Sequence, residues 1–182
     1  ASGEHDGPVF NLGPSLRHEN WTVNDILMAQ LPVSVTVGLC AILLALCIGL
    51  TAGVLGATRP GSLLDAVSFV VAIVGISLPS FVIGVVLLVV FAVWLQWFPV
   101  SGWGTWRHLV LPSVALSLPF AAYISQLTRA GMIEQLRSDH IRTARAKGLP
   151  ERTVVLKHAM KNAMLPVLNY LGPATAAAMT GS

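Results

Sequence analysis

The chain has 182 residues, of which 54% are hydrophobic and only 10% charged, with a formal net charge of +3. Soluble domains carry charge on about a quarter of their residues, so this composition excludes one and indicates a membrane protein. The basic surplus does not indicate nucleic acid, because it lies beside apolar runs, where cytoplasmic Lys and Arg are expected.

Residues 1–30 are predicted to form an extracytoplasmic segment, polar and rich in glycine and proline, with Asn24-Asp25 capping a short helix before the first span. Charge-free stretches then run from Ile26 to Thr58, Ala66 to Trp106, His108 to Thr128 and Asn162 to Ser182. Each reaches the roughly 20 apolar residues that a bilayer-spanning helix needs. The first span is predicted at about 31–57. Along it Ala41, Ala45, Gly49, Gly53 and Ala57 recur every four residues, a stripe that lets another helix approach closely in lipid. Cys40 and Cys47 share this helix, about 10 Å apart in rise, too far for a disulfide; they are expected to be buried thiols.

Arg59-Pro60-Gly61-Ser62 reads as a tight turn and Asp65 opens the second span, predicted at about 66–95 with a kink at Pro79. Trp94, Trp97, Trp103 and Trp106 cluster as aromatics do at a membrane interface, so 96–108 is expected to be interfacial. The third span is predicted at about 109–128, containing Pro112 and Pro119. The fourth runs from about 165 to 182 and is still apolar at Ser182, so the chain is expected to be a piece of a longer protein. This arrangement puts Arg59 and residues 129–164 on one face. The Lys and Arg bias makes that face cytoplasmic.

Residues 129–161 hold eight of the eleven Lys and Arg and carry +5, while the rest of the chain carries −2. Thr128 to Lys147 has helix-forming composition, with Asp139 placed to pair with Arg142. Gly148 suits the left-handed residue that closes a helix, and Pro150 the first turn of the next one, with Glu151 favoured there by the helix dipole. In that second helix Leu156, Ala159, Met160, Ala163 and Met164 form an apolar stripe. The expectation is helix, sharp bend, amphipathic helix, then span. A basic loop pinned to anionic lipid would not need the bend.

These residues resemble the cytoplasmic EAA loop of permease subunits of bacterial ABC importers. The string Ile141-Arg142-Thr143-Ala144-Arg145-Ala146-Lys147-Gly148-Leu149, followed by His158-Ala159-Met160-Lys161-Asn162-Ala163-Met164-Leu165-Pro166, is similar to the first permease subunit of dipeptide and oligopeptide importers. Leu12-Gly13-Pro14-Ser15, Thr22-Val23-Asn24-Asp25, Leu31-Pro32-Val33-Ser34, Gly172-Pro173 and Thr180-Gly181-Ser182 extend the likeness along the chain. The Glu-Ala-Ala start of the general pattern is here Arg142-Thr143-Ala144, and a later family proline aligns with Lys161.

The resemblance implies an all-α polytopic fold of the type I importer class, with about four of six spans present, in the bacterial cytoplasmic (inner) membrane. It implies a second permease subunit, two cytoplasmic ATPase subunits that bind ATP and Mg, and an extracytoplasmic substrate-binding protein. Asp139, Ile141, Arg142, Thr143, Ala144, Arg145, Ala146, Lys147, Gly148, Leu149 and Pro150 would then form the element coupled to an ATPase. No G-x-x-x-x-G-K-[ST] loop is present, so the chain is not expected to hydrolyse ATP or to hold a cofactor itself. The five histidines show no metal-ligand spacing. The translocation path is assigned to Gln126, Asn169, Tyr170, Thr175, Thr180 and Ser182, although the small residues of 174–182 equally suit close helix packing. The alternative function is a secondary transporter or channel subunit with a lipid-binding basic loop. Such carriers place Asp, Glu, His or Lys inside their spans, and the predicted spans contain no charged residue. A third possibility is a lipid-bound structural subunit.

Overall fold

The computed structural model describes residues 23–180, so most of the expected extracytoplasmic segment, with Leu12-Gly13-Pro14-Ser15, and Ser182 lie outside the described residues. Helix α1 spans Val23–Thr58. It is one helix through Pro32, not a short helix followed by a span, and its 36 residues reach about 54 Å. Arg59–Ser62 is a β-turn, closed by the Ser62 N–H on the Arg59 carbonyl at 3.2 Å. Gly61 sits at φ +77°, which this turn requires of its third residue.

Helix α2 spans Leu63–Ser77 and helix α3 Ser80–Leu87, the latter widening into a π-helical run at Leu88–Trp94. The kink expected at Pro79 is a full break: the two halves meet at 104°. Leu78 and Pro79 are both extended, with ψ of 127° and 140°, because proline drives the residue before it out of helical geometry. The pair nevertheless advances in one direction along helix α4 (Trp106–Leu136). Asp65 touches Arg129, Gly75 lies against Ala122 and Leu118, and Gly84 lies against Ala115. On the inner side of the elbow is an apolar cavity of about 420 Å³, lined by residues including Ile48, Val71, Leu78, Val82 and Leu118.

Just past the π-helical run, Gln96 takes the left-handed region at φ 54°, and the Phe91 and Trp97 rings meet at 5.8 Å. Trp94, Trp97, Trp103 and Trp106 are all exposed. Helix α4 passes through Pro112 and Pro119 unbroken and continues eight residues beyond the expected span end, so the third span and the first part of the helix expected from Thr128 are one continuous helix.

The small-residue stripe forms the tightest interface. Ala41, Ala45, Gly49, Gly53 and Ala57 are all buried. A Cβ at Gly49 would lie 2.7 Å from the Ala121 carbonyl oxygen, and one at Gly53 would lie 2.6 Å from Thr128 Cβ. Contacts rise together in number along both chains, so α1 and α4 run parallel. Helix α8 (Leu165–Thr180) runs antiparallel to α1, with Ala178 opposite Gly38 and Ala174 packed with Ile42. Arg59 and the basic block therefore lie at one end of the bundle. Cys47 corrects the expectation of two buried thiols: it is exposed on the outer side of α1, and Cys40 is half-buried.

Candidate functional site

The basic block folds as a helical elbow docked on the ends of α1 and α4. The expected single helix from Thr128 to Lys147 is divided at Arg137–Ser138. Ser138 is extended (ψ 156°) and starts helix α5, Asp139–Ala146, with its carbonyl accepting the Arg142 N–H at 3.2 Å. A serine followed by an acid is a helix-start signal, strong enough to interrupt an otherwise helical run.

Helix α5 closes as its sequence predicts. Gly148 adopts φ +75°. Its N–H donates to the Arg145 carbonyl at 2.9 Å, and the Leu149 N–H reaches back to Ala144 at 3.4 Å. This pair of bonds is the Schellman closure, which needs a left-handed residue at that position. Pro150 stands just before the next helix rather than inside its first turn, and its carbonyl accepts the Thr153 and Val154 N–H groups at 2.8 and 3.1 Å. The helix runs through α6 (Glu151–Thr153), a π-helical stretch at Val154–Ala159 and α7 (Met160–Ala163).

That π-helical stretch displaces Leu156 from the predicted apolar stripe, while Ala159 and Ala163 are buried and Met160 and Met164 pack against the core as expected. A π-turn takes more residues than an α-turn, so the inward face shifts to Val154, Val155, Ala159 and Ala163, while Leu156 is 44% exposed. The inward residues join Ala57, Met132, Ile141 and Ala144 in one core. Helix α4 meets this segment closely at Gly131, where a Cβ would lie 2.7 Å from the Ala163 carbonyl oxygen.

The residues assigned to ATPase coupling thus divide by face. Ile141 (0% exposed) and Ala144 anchor α5 inward. Asp139, Arg142, Thr143, Arg145, Ala146, Lys147, Gly148, Leu149 and Pro150 are exposed. The Asp139–Arg142 pair forms at 3.6 Å but is almost wholly in solvent and contributes little. A bridge that the sequence did not reveal crosses the bend: Arg145 Nε and Nη2 donate to Glu151 Oε2 and Oε1 at 3.1 and 2.6 Å. The hydrogen bond from Arg145 holds the Glu151 carboxyl below its ordinary range, and the same bond raises the Arg145 value.

A second ion pair, also not foreseen, lies at the base of the elbow. Arg129 Nε and Nη2 donate to Asp65 Oδ1 and Oδ2 at 2.6 and 2.8 Å, with the Asp65 side chain 7% exposed. The Gly61 N–H also donates to Asp65 Oδ2 at 2.9 Å, and Ser62 Oγ accepts the Asp65 N–H at 3.2 Å. Its sequence signal is an isolated acid just after a Pro-Gly-Ser turn.

The assigned path residues, apart from Ser182, which lies outside the described residues, fall on α4 and α8. Tyr170 stacks at 4.7 Å on Tyr123 of α4, and Gln126 is half-buried. Asn169 and Thr180 are exposed. The Thr175 and Thr180 hydroxyls donate to carbonyls of their own helix, Leu171 at 2.7 Å and Ala176 at 3.1 Å. In the same stretch Ala174 and Ala178 are buried by close packing on α1.

Among the described residues, two helices are long and apolar enough to cross a bilayer, or three if the broken pair is one span, and the architecture is that of an all-α membrane protein. Residues 45–182 match the binding-protein-dependent transport system inner membrane component family, and the chain belongs to it. It is 47% identical over 174 residues to the oligopeptide transport system permease protein OppB of Salmonella typhimurium (strain LT2), covering 94% of this chain and 57% of that protein. Identity to OppB of Escherichia coli (strain K12) is 44% over the same shares. The dipeptide transport system permease protein DppB of Bacillus subtilis (strain 168) is 42% identical, covering 96% of this chain and 56% of its own length. The chain therefore spans a little over half the length of these relatives.

Proposed function

We propose that the chain is the membrane-embedded part of a permease subunit in an ATP-driven importer of dipeptides or oligopeptides. Its elbow at 139–163 receives motion from a separate cytoplasmic ATPase. The observation that carries this reading is α5 itself: Ile141 and Ala144 seat it in a core shared with α1 and α4, and its basic face is left exposed. A helix so anchored moves with the membrane helices when its outer face is displaced. The partners are a second permease subunit, two ATPase subunits holding ATP and Mg, and an extracytoplasmic binding protein. The elbow then lies on the cytoplasmic side of the inner membrane, a reading supported by its concentration of Lys and Arg.

The ATPase provides the energy, and this chain has no part in the hydrolysis. A carrier driven by an ion gradient would need an ionisable group in its spans free to titrate. The buried acid at the bundle end, Asp65, is already engaged by Arg129.

Gly148 tests the reading. No atom lies within 4 Å of a Cβ built there, so substitution acts only through the backbone. A left-handed L-residue costs about 1–2 kcal/mol, with Asn tolerated best. In the reconstituted importer, Gly148→Val is expected to impair transport and substrate-stimulated ATP hydrolysis while leaving membrane insertion intact. Gly148→Asn is expected to retain most of both. Normal transport and stimulation in Gly148→Val would show that the bend has no part in coupling.

A further inference from the structure

The Asp65–Arg129 pair connects three elements where the elbow begins. Arg129 stands on α4 three residues before Met132, on the same helix face, and Met132 is wholly buried in the core that seats Ile141. Asp65 stands in the first turn of α2 and also holds the turn from α1 through the Gly61 N–H. On α1, Gly56 leaves just enough room for the pair, since a Cβ there would lie 3.1 Å from Asp65 Oδ1.

Two further close approaches of α2 and α3 to α4, at Gly75–Ala122 and Gly84–Ala115, are small and apolar. Such contacts can slide. Among the described residues, no other side-chain hydrogen bond or ion pair ties α2 or α3 to α4. A bidentate Arg–carboxylate pair fixes direction as well as distance. It is therefore the one directional connection between the end of α4 and the broken pair.

We propose that Asp65 and Arg129 are positioning residues through which displacement of the elbow at 139–163 reaches the broken helix pair α2–α3. This rests on the coupling function proposed above. When α5 and the end of α4 move together, the ion pair draws the base of α2 with them.

The test uses the complete importer in proteoliposomes, with Cys40 and Cys47 replaced and spin labels at Val86 on α3 and Leu43 on α1, both exposed. Three forms are compared with the parent: Asp65→Asn, Arg129→Lys, and the exchange Asp65→Arg with Arg129→Asp. The α1–α3 distance is read with and without nucleotide, beside the ratio of substrate-stimulated to basal ATP hydrolysis. Asp65→Asn is expected to lose most of the nucleotide-dependent distance change and to lower the ratio roughly fivefold or more, as removal of a buried charge partner implies. Arg129→Lys keeps the charge without the bidentate fork and should fall between Asp65→Asn and the parent. The exchange should recover part of the loss.

A merely structural role would lower assembly yield without separating the distance change from binding of the ATPase. A photo-crosslinker at Ala146 reports that binding in the same samples. If the crosslink persists and Asp65→Asn or Arg129→Lys keeps the full distance change and ratio, this inference is overturned while the coupling reading stands. If the parent itself gives no crosslink to the ATPase, the coupling reading fails first.

Discussion

Replacing Gly53 with leucine is expected to prevent α1 and α4 from packing, and with it recovery of a folded complex. A Cβ at this position would lie 2.6 Å from Thr128 Cβ and 2.7 Å from the Ser125 carbonyl oxygen. The second neighbour is backbone and cannot rotate away. Overpacking usually costs about 1–3 kcal/mol where side chains can adjust; here the helices themselves must separate. Because lipid offers no hydrophobic drive for helix association, little else compensates. Leu43→Ala on the exposed side of the same helix (61% exposed) is the control. Size-exclusion profiles and thermal unfolding in detergent should show loss of the folded species for Gly53→Leu and near-parental behaviour for Leu43→Ala. Equal stability of the two variants would contradict the α1–α4 interface.

Ile141→Ala is expected to leave the bundle folded but disconnect α5 from it. Ile141 is fully buried, and Ala144 is its only buried companion on that short helix. Truncating a buried isoleucine costs about 2–5 kcal/mol, and an eight-residue helix has little stability without packing. Substrate-stimulated ATP hydrolysis in the reconstituted importer should fall roughly tenfold or more, the factor that about 1.4 kcal/mol represents. Thermal unfolding of the membrane helices should change far less. A variant that keeps full stimulation would mean that the seat of α5 in the core does not transmit motion.

The features legible in the sequence are those set by local chemistry. A four-residue period of Ala and Gly from Ala41 to Ala57 has one use in lipid, and the stripe is buried on α4. Gly148-Leu149-Pro150 combines a residue free to take positive φ with one that cannot continue a helix, so the bend follows from two residues. Proline inside an apolar run is different. Pro32, Pro112, Pro119 and Pro173 all lie within continuous helices, whereas Pro79 marks a 104° break. A proline restricts the residue before it in every case, so proline alone does not tell a break from a continuous helix.

Leu156 was misplaced for a related reason. An α-helical period carries it inward, and the wider π-turn at Val154–Ala159 carries Val154 and Val155 inward instead. Asp65 and Arg129 are separated by 64 positions, and only the parallel course of α1 and α4 brings them together.

The account turns on whether the exposed face of α5 is where the ATPase acts. With Cys40 and Cys47 replaced, a benzophenone attached at Ala146→Cys, on that face, can be irradiated in the assembled importer and compared with one at Leu63→Cys, 81% exposed at the start of α2. Crosslinking of the ATPase subunit from position 146, at a much higher yield than from position 63, is the predicted result. Crosslinking from position 146 to lipid alone, or equally from both positions, would contradict the coupling role of α5.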